Sequence, residues 1–201
     1  MRARYWATAA LVLVLVVVVV FAAFHASTGS TSRPAAFPVI ADLGGDFELS
    51  RSGGVRVRLQ DYRGQIVLLF FGYTYCPDVC PTSLYTLKLA VDDVGAAADR
   101  VQVIMITVDP ERDSPEHLGQ YVRHFHPQFI GLSGATEEVE RVARQYRVHY
   151  QKGQSSPGGY LVSHSAYVYL LDKQGRVRAI FSASANKADV ADGVRRLLRE
   201  D

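Results

Sequence analysis

Apolar residues divide the chain into two parts. Residues 7–24 read ATAALVLVLVVVVVFAAF, an uncharged run without proline. As a helix this run would be about 27 Å long, close to the thickness of the hydrocarbon layer of a bilayer. Beyond it, apolar residues occur in short runs separated by Gly, Pro and polar residues. The pattern therefore predicts one transmembrane helix followed by a folded domain.

Short apolar runs in the second part predict strands. FELSRSGGVRVRL alternates on both sides of Ser52-Gly53-Gly54, which predicts a β-hairpin. QIVLLFF and VQVIMITVD have strand length without alternation, which indicates strands buried on both faces. SAYVYLLDKQGRVRAIF predicts two further strands joined by a turn at residues 172–175.

Amphipathic runs between these strands predict helices. The helix starts are Pro81, Ser114 as N-cap with Pro115 at the first helical position, and Thr136 and Asn186 as N-caps. The order is then a hairpin, βαβα, a further helix, two strands and a last helix. Helix-length crossovers between buried strands imply a parallel core. An α/β thioredoxin-like sandwich with an N-terminal β-hairpin has this order of elements.

Charge near the apolar run predicts its orientation. Arg2 and Arg4 precede the run, and the next basic residue of the Lys or Arg type is Arg33, which keeps the N-terminus in the cytoplasm. A cleaved signal peptide is the alternative, but the run is long for one and FHAS is a poor cleavage site. We expect a bacterial inner-membrane protein with its domain on the periplasmic side. The predicted segments are cytoplasmic residues 1–6, a retained anchor at 7–24, a flexible tether at 25–38 and the domain at 39–201.

Overall charge gives no support for nucleic acid as a partner. The chain carries 22 Lys and Arg against 20 Asp and Glu, a formal net charge of +2. A balance this close gives no reason to expect binding to nucleic acid.

Cys76 and Cys80 are the two cysteines of the sequence, and they lie between a predicted strand and a predicted helix. They could form a structural disulfide, a redox pair or two ligands of a metal. A disulfide closing so short a loop removes only about 2 kcal/mol of unfolded-state entropy, which disfavours a purely structural role. With Pro81 as first helical residue, Cys80 would be the N-cap, where the helix dipole stabilises a thiolate. Asp78 opposes this effect, so we expect a moderately lowered thiol pKa.

A metal site would need a third ligand, and the sequence offers six histidines. His117, His124 and His126 lie in or at the end of one predicted helix and are more typical of solvated surface residues. His164 follows a Gly-rich loop and precedes a buried strand, a position that faces the cysteines in a thioredoxin-like fold. From its position in the chain alone, His164 could equally well be a loop histidine that hydrogen-bonds to the backbone and binds no metal.

Three motifs occur in an order that resembles the Sco (SenC) family of copper-binding, membrane-anchored proteins. They are FGYTYCPDVCPTSL, ITVDPERDSPEHLGQYV and YLVSHSAYVYLLDKQGRV, and the resemblance extends from about Phe47 to Phe181. It implies copper bound by Cys76, Cys80 and His164, in a protein that assists assembly of the dinuclear copper centre of cytochrome c oxidase. Asp109 opens the DPERD segment, and we assign it to loop architecture or partner contact rather than to ligation.

The chemistry of these residue types agrees with copper. Thiolates suit Cu(I) and imidazole also accepts copper, so Cu(I), Cu(II) or both are the expected cargo. A Cys₂His set argues against closed structural zinc. The resemblance implies the copper-bearing oxidase subunit as partner, with another copper chaperone or a thiol oxidoreductase as further partners. Three functions stay open: a metallochaperone, a thiol–disulfide oxidoreductase that reduces the target's cysteines, and a redox or copper sensor.

Overall fold

The computed structural model describes residues 13–21, 37–155 and 159–200. Residues 13–21 are helical (α1) and belong to the predicted anchor. The remaining anchor residues, the predicted cytoplasmic residues 1–6 and most of the tether lie outside the described residues. Among the helices described, none is both long enough and apolar enough to cross a membrane. The anchor therefore stays a prediction.

The folded domain is built on a five-stranded sheet with the order β5-β4-β3-β8-β9, and the pairs β1-β2 and β6-β7 form two small antiparallel sheets. The strands are β1 (Glu48–Arg51), β2 (Val55–Arg58), β3 (Ile66–Gly72), β4 (Val101–Thr107), β5 (Ile130–Leu132), β6 (Tyr150–Lys152), β7 (Val162–His164), β8 (Tyr167–Leu171) and β9 (Val177–Ser182). The helices are α2 (Val79–Val94), α3 (Pro115–Arg123), α4 (Thr136–Gln145) and α5 (Lys187–Leu198), with 3₁₀ turns at Leu59–Tyr62 and Gly95–Arg100.

The centre of the sheet is β3, whose seven residues are all buried. It runs parallel to β4, with Ile66 opposite Val101, and antiparallel to β8. The next strand, β5, is parallel to β4. Helix α2 makes the crossover from β3 to β4 and packs beside α5. The predicted α/β class and its buried parallel core are confirmed.

Several local predictions are also confirmed. The β1-β2 hairpin turns at Gly53 and Gly54, whose φ angles of 82° and 69° favour glycine. The Ser114 side chain accepts a hydrogen bond from the His117 N–H at 3.1 Å. The Asn186 side chain accepts one from the Asp189 N–H at 2.9 Å, so both residues cap their helices.

Two helix starts differ from the prediction. Helix α2 begins at Val79 with Asp78 at the N-cap position, so Cys80 is the second helical residue and not the N-cap. Pro81 is tolerated at the third position because the N–H groups of the first turn need no helical partner. The N-cap position of α4 is occupied by Ala135 rather than Thr136. The strands β5, β6 and β7, of three residues each, were not predicted.

Candidate metal centre

The two cysteines follow the end of the central strand. Cys76 is half-buried in the loop after β3, Cys80 is fully buried in the first turn of α2, and both are free thiols. Gly72 ends β3, and a Cβ there would lie 2.8 Å from Cys80 Sγ and 2.7 Å from the Phe70 ring. The absence of a side chain at Gly72 therefore lets the Cys80 sulfur approach the end of the sheet.

His164 approaches the cysteines from the end of β7. It ends β7, which pairs with β6 so that Tyr150 lies opposite His164. The Tyr73 hydroxyl oxygen accepts a hydrogen bond from the Val162 N–H at 3.1 Å, which attaches β7 to the segment after β3. The imidazole ring packs edge-on against Tyr73 at 5.8 Å and Phe70 at 6.4 Å between ring centroids.

The structure brings all three predicted residues together. One ligand atom each of Cys76, Cys80 and His164 lies within 4.8 Å of the others, and the part of the chain that the structure describes holds no other such group. His164 Nε2 is 3.4 Å from Cys80 Sγ, and Nδ1 is 3.2 Å from the Ser165 carbonyl oxygen. Because a carbonyl oxygen only accepts, Nδ1 carries the proton, and the Nε2 lone pair faces the Cys80 sulfur, where it could bind a metal.

Burial determines the charge states of Cys80 and His164. It raises the pKa of the Cys80 thiol, and the nearby Cys76 raises it further, although the Tyr73 N–H donates to the sulfur. The expected lowering of this pKa is therefore wrong, because desolvation outweighs the effect of the helix N-terminus. Burial also lowers the pKa of His164, against the effect of the Ser165 carbonyl. Without a metal, the Cys80 thiol and the imidazole are both neutral at pH 7.

Asp113 fixes residues 73–78, the loop between β3 and α2 that carries Cys76 and leads to Cys80, which we call the cysteine loop. It is fully buried and accepts hydrogen bonds from the Thr74 N–H at 3.0 Å, the Thr74 hydroxyl and the Thr107 hydroxyl at 2.7 Å. His117 Nε2 is 3.1 Å from the Thr74 oxygen, and it donates because the hydroxyl proton points to Asp113. His117 is exposed, as predicted, and it contacts the cysteine loop without joining the ligand cluster.

Asp109 is also buried, and it acts in the loop rather than in the ligand cluster. It accepts a hydrogen bond from the Tyr160 hydroxyl at 2.8 Å and forms an ion pair with Arg112. These contacts agree with its predicted part in loop architecture. The sequence interpretation missed Asp113, Arg112 and Tyr160. The first two lie in the DPERD segment, which was the available signal, whereas nothing in the sequence pairs Tyr160 with them.

Comparison with known proteins identifies the family. The SCO1/SenC family model matches residues 38–199. The chain belongs to the SCO1/SenC family. The SCO2 homolog of Bos taurus, a mitochondrial member, is 42% identical over 76% of this chain and 58% of its own length. Across the first three curated relatives the chain spans 48% to 61% of their lengths.

Solved structures of SCO1/SenC members share the fold. The copper-bound ScoI of Arabidopsis thaliana is 38% identical, with a TM-score of 0.74, over 79% of this chain and 99% of that one. The copper-bound ScoI of Bradyrhizobium japonicum is 39% identical, with a TM-score of 0.72, over 78% and 99%. Two soft sulfurs and an imidazole nitrogen are donors that copper accepts. The Cys₂His cluster and the copper-bound relatives together support copper as the metal of this site.

Proposed function

We propose that this SCO1/SenC protein is a copper metallochaperone that holds one copper ion per chain through Cys76, Cys80 and His164. The observation that supports it best is the convergence of two thiol sulfurs and an imidazole nitrogen within 4.8 Å of one another. Two thiolates suit Cu(I), and the imidazole extends the set to Cu(II). Cys76 is the more exposed sulfur, so ligand exchange with an acceptor begins there while Cys80 and His164 retain the ion.

The proposed acceptor is the copper-bearing subunit of cytochrome c oxidase, whose dinuclear copper centre the protein helps to assemble. Family membership supports this assignment. The proposed location is the bacterial inner membrane, with residues 7–24 as a single-pass anchor and the domain in the periplasm. Arg2, Arg4 and the uncharged run support that orientation. A reporter fused after Asp201 should be active only if it functions outside the cytoplasm, and cytoplasmic activity would contradict the delivery role.

His164→Ala tests whether copper delivery is the main task. The variant keeps both thiols, so the fold and an oxidisable Cys76–Cys80 pair should be preserved. Binding of Cu(II) should be strongly weakened and binding of Cu(I) weakened less, because Cu(I) tolerates a two-coordinate dithiolate. At native expression and limiting copper, oxidase assembly should fail. Normal oxidase activity under those conditions would overturn the metallochaperone assignment.

A thiol–disulfide oxidoreductase is the second candidate function. It is favoured by one observation: the two sulfurs lie close together as free thiols, and Cys76 is accessible to a target. Exchange needs only a thiolate that attacks a sulfur, with the imidazole outside the reaction. If reduction of the target's cysteines is the main task, oxidase assembly survives in His164→Ala and fails only in the cysteine variants.

A further inference from the structure

The loop after β4 contacts both sides of the metal centre. We call residues 109–113 the bridge loop. On one side, Asp113 accepts the hydrogen bonds from Thr74 that fix the cysteine loop. On the other side, Asp109 accepts the Tyr160 hydroxyl, four residues before His164. The bridge loop therefore connects the two segments that carry the proposed ligands.

Arg112 contacts both segments with a single side chain. Its guanidinium carbon lies 3.6 Å from the ring centroid of Tyr160 and 4.6 Å from that of Tyr75, the residue before Cys76. Its Nη1 donates to the Tyr160 carbonyl oxygen at 3.0 Å, and its Nε donates to Asp109. The side chain is only 20% exposed, so these contacts are formed with little competition from water.

The described residues before His164 belong to a short hairpin, which Val162 attaches to the Tyr73 hydroxyl by a hydrogen bond of 3.1 Å. Strands β6 and β7 have three residues each, and an isolated two-stranded hairpin is at best marginally stable. Tyr160 also stacks under Lys152, whose ammonium nitrogen is 4.1 Å from the ring centroid and forms an ion pair with Glu111 at 2.6 Å. These contacts, like those of Arg112, end on the bridge loop or on Tyr160. The bridge loop therefore holds the His164 segment together with the Tyr73 hydrogen bond to Val162 and the ring contacts of His164 with Tyr73 and Phe70.

We propose that Arg112 is a positioning residue that holds the His164 segment against the cysteine loop and so keeps the imidazole in the ligand set. The proposal rests on Cys76, Cys80 and His164 being the copper ligands. It assigns different tasks to the two parts of the bridge loop. Asp113 maintains the dithiol, whereas Arg112 maintains the third ligand.

Arg112→Gln should therefore reproduce the pattern of His164→Ala. Partners that orient metal ligands typically contribute about 10- to 100-fold to metal affinity, and we expect a loss of that size for Cu(II). Cu(I) affinity and oxidation of the Cys76–Cys80 pair should change much less, because Asp113 still holds the cysteine loop. Arg112→Lys should rescue poorly, since an ammonium cannot donate as a planar fork to Asp109 and the Tyr160 carbonyl together.

The decisive measurement is a double-mutant cycle on the purified domain. Cu(II) affinity by competition and the sulfur-to-Cu(II) charge-transfer band are compared in wild type, Arg112→Gln, His164→Ala and the double variant. If Arg112 acts through His164, the double variant should match His164→Ala. Unchanged Cu(II) affinity in Arg112→Gln, or a further full loss in the double variant, would overturn the proposal.

Arg56→Gln is the matched control. Like Arg112, Arg56 forms ion pairs, here with Glu48 and Glu138 at 2.9 Å each, but it lies in the β1-β2 hairpin, and its loss should leave copper binding unchanged. If Arg112→Gln does not fold, Arg112→Lys decides, because it keeps the charge but loses the planar fork that donates to Asp109 and the Tyr160 carbonyl. A selective weakening of Cu(II) binding in Arg112→Lys supports the proposal, and unchanged binding contradicts it.

His164→Ala separates the proposed copper ligand set from the proposed role of Arg112. If it weakens Cu(II) binding and Arg112→Gln does not, the role of Arg112 is wrong and the copper site stands. If His164→Ala itself leaves Cu(II) binding intact, the proposed ligand set and the role of Arg112 are both wrong.

Discussion

Two clusters of buried carboxylates and guanidinium groups lie at opposite ends of the central sheet. The bridge loop follows β4 at the end where β3 terminates, beside the cysteines. The second cluster follows β8, and because Val67 pairs with Leu171, it lies where β3 begins. There Arg178 donates to Asp172 at 3.1 Å and forms an ion pair with Glu200 at 2.8 Å, and the Arg178 and Asp172 side chains are 8% and 5% exposed.

The difference between the clusters lies in what they connect. Arg178 also donates to the Phe37 carbonyl oxygen, so the second cluster joins the first described residue of the domain, the β8-β9 hairpin and the last turn of the chain. The bridge loop joins two segments that carry proposed ligands. We therefore expect the same chemistry to serve stability alone at one end of the sheet, and stability together with ligand geometry at the other. The predictions below are ordered by their expected effect on copper binding and then on stability.

The largest effect should come from the cysteines themselves. The double variant Cys76→Ser, Cys80→Ser should lose one-to-one copper binding, because a single imidazole is too weak a donor set. Either single variant leaves two donors and should release copper to a modest competitor. The measurement is copper per chain after dialysis against that competitor. Tight one-to-one binding by the double variant would mean that other histidines bind the copper. The bridge loop would then have no copper site beside it, and the two clusters would no longer differ in function.

Asp113→Asn should lower both the stability of the fold and the affinity for copper. The amide cannot accept from Thr74 and Thr107 as the buried carboxylate does, and we expect a loss of about 3–4 kcal/mol in the free energy of unfolding. Binding of Cu(I) and of Cu(II) should weaken together, since the cysteine loop loses its anchor. The measurements are urea unfolding and competition titrations with both ions. Wild-type affinity for both ions in a destabilised variant would mean that Asp113 serves stability alone.

Asp172→Asn should affect stability alone. Arg178 keeps Glu200 and the Phe37 carbonyl as partners, so we expect a loss of about 2–3 kcal/mol, below the cost of leaving a buried cation unpaired. Copper affinity of the folded protein should equal that of wild type, because the proposed ligands lie at the other end of the sheet. The same titrations and urea unfolding provide the test. A changed copper affinity would contradict the separation of the two clusters.

The sequence predicted most of the sheet because its long elements carry complete patterns. β3 and β4 have seven residues each and are almost continuously apolar, and Ser114 and Asn186 are unambiguous caps. β5, β6 and β7 have only three residues each, too few for a period, and they form by pairing with partners far along the chain. The strand that carries His164 was therefore missed although the residue itself was identified.

The convergence of Cys76, Cys80 and His164 was predictable from the sequence, but the pKa shifts of these residues and the contacts that support them were not. The spacing of Cys76 and Cys80 and the family resemblance identified the three proposed ligands. The direction of the Cys80 pKa depends on how deeply α2 buries the thiol, which helix propensity does not determine. The stacking of Arg112 between Tyr75 and Tyr160 depends on tertiary contacts between three loops, which a local sequence pattern cannot contain.

The smallest effect we predict is a pH dependence of the Asp172 cluster. Burial raises the pKa of Asp172, but hydrogen bonds from Arg176 and Arg178 outweigh it and hold the pKa below its usual value. The unfolded chain, with an Asp pKa of about 3.9, then binds more protons than the folded protein at acid pH. The stability from this carboxylate is therefore complete above about pH 5 and is lost as the pH falls through the folded pKa.

The test is the difference in unfolding free energy between wild type and Asp172→Asn, measured in urea across the acid range. This difference should be constant from about pH 7 to about pH 5 and should shrink below about pH 4, as Asp172 becomes protonated in both states. Arg56→Gln is again the control, because it leaves the Asp172 cluster intact. A difference that stays constant down to about pH 3 would mean that the ion pairs of Asp172 do not lower its pKa, and that this end of the sheet is stabilised by packing instead.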